Sequence, residues 1–129
     1  MIRLTYVGVQ LAHHGRTMLV LRPISLSAHG AIELLAGVLA LVAPFALGFT
    51  PAGAVVSVVV GVLAIGLALD ATQPQRVSAH QSFDYGLAFG AIVVALPLAL
   101  AGSGTAAIFL AGLGLAQLAL NAGTRYSAR

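Results

Sequence analysis

The amino-acid sequence predicts an all-α membrane protein with four transmembrane helices, arranged as two duplicated helical hairpins. Of its 129 residues, 60% are hydrophobic and 7% are charged, whereas an ordinary soluble domain carries about 25% charged residues. Residues 34–69 and 85–124 contain no charged side chain, and a similar short motif introduces each of these two runs. Because so few charges cannot cover a surface that faces water, a lipid bilayer is the solvent that fits.

Each uncharged run is long enough for two spanning helices. The first run of 36 residues would measure about 54 Å as a single helix, whereas a hydrocarbon core is about 30 Å thick. Glycine and proline in GFTPAG, at 48–53, predict a turn between spans at 30–49 and 52–71. AGSG, at 101–104, likewise divides the second run into spans at 83–100 and 105–122.

Arginine placement predicts the orientation, because short loops rich in Arg and Lys stay in the cytoplasm. The two predicted turns carry no arginine, and all six arginines lie on the other side: Arg3, Arg16, Arg22, Arg76, Arg125 and Arg129. Both termini and the middle loop are therefore predicted to be cytoplasmic. The absence of Lys beside abundant Ala, Gly and Arg favours a bacterial source, and hence the bacterial inner membrane.

The same composition excludes several classes of function. The arginines are scattered, without a basic stripe or interleaved aromatic residues, which argues against nucleic acid as a partner. The chain has no cysteine, which excludes disulfides, thiolate metal sites and cysteine nucleophiles. It also lacks a nucleophile and base motif, a glycine-rich phosphate loop and a metalloprotease motif, so it is not predicted to be an enzyme.

An internal repeat accounts for the two hairpins. SAHGAIE at 27–33 aligns with SAHQSFD at 78–84 at an offset of 51 residues. The same offset aligns Gly61 with Gly112 and LALDA with LALNA. Pro44 aligns with Pro97 at an offset of 53 residues. Each unit contains two spans, so both copies run in the same direction as a parallel repeat. Gly53, Ser57 and Gly61, together with Gly86 and Gly90, are predicted to make helix contacts inside the bundle.

The chain divides into three segments on this interpretation. Residues 1–26 form a cytoplasmic N-terminal segment, residues 27–75 the first hairpin repeat, and residues 76–129 the second hairpin repeat with a short C-terminal tail. For residues 1–26 the sequence is compatible with two structures, a flexible N-terminal segment or two short strands around HHGR. Met1 and Met18 are both candidate starts.

Two ionisable pairs are the candidate functional residues: His29 with Glu33, and His80 with Asp84. On a structural interpretation, which we favour at this point, they are helix-entry signals with Ser27 and Ser78 as N-caps. On a functional interpretation, ionisable residues inside a membrane mark a site. Two histidines and two carboxylates at one depth suit Zn, Mn or Fe, and a proton or small-ligand contact is a further alternative; no particular cofactor is identified.

HGAIELLAGVLALVAPFALGF at 29–49, followed by HQSFDY at 80–85, resembles the SPW repeat family of small bacterial membrane proteins. The family is named for a Ser-Pro-Trp tripeptide in each hairpin. Here the tripeptides are residues 43–45, Ala-Pro-Phe, and residues 96–98, Leu-Pro-Leu, so the proline is kept and the tryptophan is not. The resemblance covers residues 28–122 and implies a membrane protein with four spans. The family has no established activity that the resemblance could imply for this chain.

We therefore expect a non-enzymatic integral membrane protein that acts as a structural or accessory component of the bilayer, with another membrane protein or a second copy of itself as partner. The alternative is metal, proton or small-ligand binding at the cytoplasmic ends of the first and third helices. A small transporter is a further alternative, but such proteins place a charged group near the bilayer midplane, and the sequence offers none. Gln117, the amide deep inside the fourth span, is expected to bond to a neighbouring helix.

Overall fold

The computed structural model describes residues 22–71 and 77–126, and this part of the chain forms four α-helices. They are α1 (Leu26–Ala46), α2 (Pro51–Asp70), α3 (Val77–Leu100) and α4 (Gly104–Gly123). Each helix is long and apolar enough to cross a membrane. The predicted all-α class, with four helices long and apolar enough to span a membrane, is confirmed, whereas the predictions for residues 1–21, 72–76 and 127–129 lie outside the described residues.

Two tight turns join the helices into hairpins, α1 with α2 and α3 with α4. Gly48 and Gly102 have positive φ angles of 63° and 79°, a backbone conformation that glycine adopts without steric cost at helix ends. We call the end of the bundle that holds these turns the turn end. The opposite end, where α1 and α3 begin, is the arginine end, because Arg22 precedes α1 and Arg125 follows α4 there.

Helices α1 and α3 begin earlier than predicted. The N-cap of α1 is Ser25, whose hydroxyl accepts a hydrogen bond from the backbone N–H of Ala28 at 3.2 Å. The predicted N-caps, Ser27 and Ser78, both lie inside helices, so that prediction was wrong. The physical reason is that Ser25 caps equally well and allows a longer helix. As a result, each candidate carboxylate is the eighth residue of its helix, two residues farther in than the predicted N-caps would place it.

Small residues allow the two helices of each hairpin to approach backbone to backbone. A Cβ atom added at Gly61 would lie 2.8 Å from the carbonyl oxygen of Gly37, and one added at Gly114 would lie 2.6 Å from that of Ala88. Gly112, which the sequence alignment pairs with Gly61, has nothing within 4 Å of an added Cβ. The close approach in the second hairpin is therefore made two residues later than the alignment predicts.

The predicted bundle contacts are confirmed on α2 and wrong on α3. Gly53, Ser57 and Gly61 are buried, and the hydroxyl of Ser57 donates to the carbonyl oxygen of Ala40 on α1 at 2.7 Å. By contrast, Gly86 and Gly90 are exposed, with nothing within 4 Å of an added Cβ. They line an apolar groove between α2 and α3, because that face of α3 turns outward.

The two hairpins meet along an apolar core and through polar contacts at both ends. At the turn end, the hydroxyls of Thr50 and Ser103 share a hydrogen bond, and a Cβ added at Gly53 would lie 2.5 Å from the Cβ of Ala106. Buried apolar side chains fill the space between the ends: Val60, Ala95, Leu98, Ala107 and Leu110. The outward faces of the helices carry large apolar side chains, as a lipid-facing surface requires.

Replacing Gly114 by Ala is expected to destabilise the protein, because the new methyl group would overlap the backbone of α3. Overpacking of this kind costs about 1–3 kcal/mol, which outweighs the gain in helix propensity of up to about 1 kcal/mol. Thermal unfolding in a mild detergent measures the effect. Gly112→Ala is the matched control and should be neutral or slightly stabilising; equal unfolding temperatures for the two variants would contradict the observed packing.

Candidate functional site

The structure brings all four predicted site residues together at the arginine end. His29 and Glu33 come from α1, and His80 and Asp84 come from α3. Each offers one ligand atom, and these four atoms lie within 4.8 Å of one another. The exposed fraction is 0% for His29, Glu33 and Asp84 and 2% for His80, so the cluster is removed from the surface of the bundle.

Helix geometry explains why the four side chains converge. Residues four apart lie on the same face of an α-helix, so each histidine shares a face with its carboxylate. The histidines are the fourth residues and the carboxylates the eighth residues of α1 and α3. Both helices begin at the arginine end, so the two pairs lie at the same depth and face each other.

The two imidazole nitrogens alternate with two carboxylate oxygens around a common centre. His29 Nε2 lies 3.1 Å from Asp84 Oδ2 and 3.6 Å from Glu33 Oε2. His80 Nε2 lies 3.4 Å from the same Asp84 oxygen and 3.9 Å from the same Glu33 oxygen. Among the described residues, His29 Nε2, His80 Nε2 and Glu33 Oε2 have no hydrogen-bond partner. The atoms are therefore close together without being aligned as donors and acceptors.

Gln117 on α4 holds the carboxylate of Glu33 from the side away from this centre. Its side-chain nitrogen Nε2 donates a hydrogen bond to Glu33 Oε1 at 3.1 Å, and both side chains are buried. The prediction that Gln117 bonds to a neighbouring helix is confirmed. This contact engages one carboxylate oxygen and leaves the other, Oε2, directed toward the histidines.

Thr124, the first residue after α4, contacts the other nitrogen of His29. The distance from His29 Nδ1 to Thr124 Oγ1 is 2.9 Å, and the threonine hydroxyl also donates to the carbonyl oxygen of Leu120 at 2.7 Å. Backbone hydrogen bonds join the chain around Thr124 to the chain before α1: Ile24 N donates to Gly123 O at 3.1 Å and Arg125 N donates to Ile24 O at 2.9 Å. The end of α4 is thereby fixed against the beginning of α1.

Tyr126 covers the cluster. Its hydroxyl donates to Asp84 Oδ2 at 2.7 Å, and its ring lies edge-on to His29 with a centroid separation of 5.5 Å. Burial, together with this hydrogen bond to Asp84, raises the pKa of the Tyr126 phenol above its ordinary value, because both favour the neutral form. Asn121 lies alongside, fully buried, with Oδ1 3.3 Å from the Tyr126 hydroxyl.

Sequence reasoning did not include Thr124, Tyr126 or Asn121 in the site. The first two follow the end of the last apolar span, where helical periodicity no longer indicates which side chains point inward. Asn121 enters the sequence analysis only within LALNA, the repeat partner of LALDA. The available signal was the run of polar and aromatic side chains directly after LALNAG, which lies at the same end of the bundle as both histidines.

The donor set and its spacing fit a single tetrahedral transition-metal ion. Zinc binds histidine nitrogen and carboxylate oxygen at about 2.0–2.1 Å in tetrahedral sites, so neighbouring ligand atoms lie about 3.3 Å apart. The four nitrogen-to-oxygen distances run from 3.1 to 3.9 Å, and the four atoms all lie within 4.8 Å of one another, so the donors would draw closer together around an ion. Calcium takes about 6–8 oxygen ligands, more than two carboxylates offer.

The bundle is apolar immediately below the cluster. A cavity of about 20 Å³ lies there, lined by apolar side chains such as Val60, Leu87 and Leu113, with Gln117 at its edge. A volume of this size holds about one water molecule. None of the four site residues lines this cavity, and its apolar lining offers no ligands to an ion, so it is a packing gap beside the site rather than part of it.

Comparison of the chain with known protein families, with curated proteins and with solved structures finds no match.

The phenol of Tyr126 is expected to stay protonated around pH 10, where an ordinary tyrosine ionises, because its pKa is raised. Ultraviolet absorbance titrations of the wild type and of Tyr126→Phe in detergent should therefore overlap in that range. After chemical unfolding, the variant should lose one of the three ionising tyrosines, which serves as the control. An extra ionisation in the folded wild type would contradict the burial and hydrogen bonding described for Tyr126.

Proposed function

We propose that this protein is a non-enzymatic, multi-pass membrane protein whose two hairpins are joined by one divalent transition-metal ion. The ligands would be His29, Glu33, His80 and Asp84, two from each hairpin. The observation that carries the proposal is the convergence of four buried donor atoms, two imidazole nitrogens and two carboxylate oxygens, within 4.8 Å of one another.

Charge balance supports a divalent cation at this place. Two carboxylates buried in an apolar bundle require compensation by positive charge, and within the described ranges neither Glu33 nor Asp84 is paired with an arginine. A divalent ion with two neutral histidines makes the cluster electrically neutral. The alternative is that protons shared between histidines and carboxylates supply the charge.

The orientation of the nitrogens favours the metal over shared protons. A proton-mediated pair places the ring N–H on the line to its acceptor, yet His29 Nε2, at 3.1 Å from Asp84 Oδ2, is not aligned for a hydrogen bond. In a metal site, the nitrogen and oxygen lone pairs all point at the central cation, so the ligand atoms need not be aligned with one another as hydrogen-bond donor and acceptor. A short distance without hydrogen-bond alignment is therefore compatible with a coordination site.

The ligand types indicate which metals fit and which role the metal has. Imidazole and carboxylate suit Zn, Fe and Mn, whereas soft ions such as Cu(I) prefer thiolate or thioether ligands, which this site lacks. Four protein ligands complete a tetrahedral shell and leave no open position for a substrate, which is characteristic of structural rather than catalytic zinc sites. The metal is accordingly proposed to stabilise the bundle, in agreement with a non-enzymatic role.

The purified protein is expected to bind about one zinc or cobalt ion per chain, the stoichiometry of a single tetrahedral site. Elemental analysis after loading and dialysis, on protein purified in detergent with a tag free of histidine, measures this. His29→Ala combined with His80→Ala should abolish binding, because only two ligands remain. His13→Ala combined with His14→Ala removes the same number of histidines and is the matched control. Equal metal content in both double variants would sink the proposal.

Several further features belong to the same proposal. We place the arginine end on the cytoplasmic side of a bacterial inner membrane, supported by the six arginines and the absence of Lys.

We regard the hairpins as a duplicated parallel repeat of the SPW type, supported by the His-x-x-x-acid motif and by Pro44 and Pro97, which lie inside α1 and α3 near the turn end. The hydrogen bond between Thr50 and Ser103, the N-cap residues of α2 and α4, agrees with this repeat.

The proposed orientation predicts different accessibility for the two ends of the bundle. Because the chain has no cysteine, single-cysteine variants need no background substitutions. In intact cells, Ala101→Cys at the turn end should react with a membrane-impermeant maleimide, whereas Ala128→Cys should react only after the membrane is permeabilised. The reverse pattern would show that the arginine end faces outward, and the metal proposal would be unaffected.

A further inference from the structure

The hydroxyl of Thr124 can accept, but not donate, a hydrogen bond at His29. Thr124 is fully buried, and a threonine hydroxyl has a single proton. That proton is directed to the carbonyl oxygen of Leu120 at 2.7 Å. The oxygen atom therefore presents a lone pair to His29 Nδ1 at 2.9 Å, and Nδ1 must carry the hydrogen.

When the ring is neutral, as a metal ligand must be, this assignment determines the state of the other ring nitrogen. In a neutral imidazole only one nitrogen is protonated, so Nε2 carries a lone pair when Nδ1 is the donor. That lone pair lies 3.1 Å from Asp84 Oδ2 and 3.6 Å from Glu33 Oε2. Without a cation, the Nε2 lone pair and the two carboxylate oxygens repel one another. Around a shared cation, the same three atoms are all attracted to the positive charge. Metal-binding histidines commonly have their second nitrogen held in this way.

The two histidines of the cluster are not held equally. Among the described residues, His80 Nδ1 has no hydrogen-bond partner although it is buried. Thr124, in contrast, is fixed by its own backbone, because its N–H donates to Asn121 O at 3.2 Å and the adjacent residues bond to Ile24. His29 is therefore the histidine that the protein scaffold orients in advance.

We infer that Thr124 is a positioning residue of the proposed metal centre: it holds His29 in the tautomer and orientation in which Nε2 is the ligating nitrogen. The inference rests on the proposed function and deepens it, since it makes the C-terminal segment beyond α4 part of the site. The short segment after α4 is hydrogen-bonded to the chain before α1. It thus contributes to metal affinity although it provides no ligand.

The first test compares zinc affinity, measured by competition with a chromogenic chelator in detergent. Thr124→Val keeps the shape and the backbone hydrogen bonds but removes the acceptor, and we expect an affinity lower by about 10–100-fold, the usual effect of losing such a partner. Thr124→Ser restores a hydroxyl and should bind close to wild type. Thr105→Val, at an exposed position near the start of α4, is the control for a general effect of the substitution.

The second test uses nitrogen-15 NMR of histidine-labelled, zinc-loaded wild type, so it does not depend on whether the valine variant folds. We expect the His29 signals of a ring ligated through Nε2 and protonated at Nδ1. Ligation through Nδ1, or unchanged affinity in Thr124→Val while the wild type binds zinc, would overturn this inference and leave the proposed function intact. A wild type that binds no metal would overturn the proposed function and this inference with it.

Discussion

Burying a carboxylate in an apolar bundle costs several kcal/mol unless its charge is compensated, and this bundle buries two carboxylates side by side. The chain has only three acidic residues, and Glu33 and Asp84 are both fully buried in one cluster. Neighbouring polar groups surround the two carboxylates. Gln117 donates a hydrogen bond to Glu33 and Tyr126 donates one to Asp84, and both imidazoles lie against the carboxylates within the cluster. In the proposed metal-bound state both imidazoles are neutral, and a cation at the centre would supply the compensating positive charge.

The rest of the fold determines where the four side chains meet. Within each hairpin, backbone contact at Gly61 and at Gly114 allows little freedom for one helix to slide along the other. Between hairpins, the Thr50 and Ser103 hydroxyls fix the turn end, and the backbone bonds of Ile24 fix the arginine end. Since α1 and α3 are positioned at both ends, their inward-facing histidines and carboxylates face each other with separations below 4 Å.

The sequence was sufficient for the helices and for the four site residues, because long uncharged runs and a repeated His-x-x-x-acid motif are strong signals. It did not determine how deep the carboxylates lie, because Ser25 and Ser27 are both acceptable N-caps and their choice moves the helix start. It also missed Thr124 and Tyr126, since inward orientation beyond the end of a helix depends on tertiary contacts. Gly112 and Gly114 lie two residues apart, and only packing against α3 distinguishes them.

The position of the cluster favours an ion that stays in the protein over one that passes through it. Transport would require a polar route toward the turn end, yet the cavity next to the cluster holds about 20 Å³ and is lined mainly by apolar side chains. Leu110, fully buried, fills the core farther along, and residues 34–69 and 85–124 contain no charged side chain. On the opposite side, Tyr126 covers the cluster through its contacts with Asp84 and His29. Bound there, the proposed ion would join the two hairpins at the arginine end and would add stability without needing a charged group at the bilayer midplane.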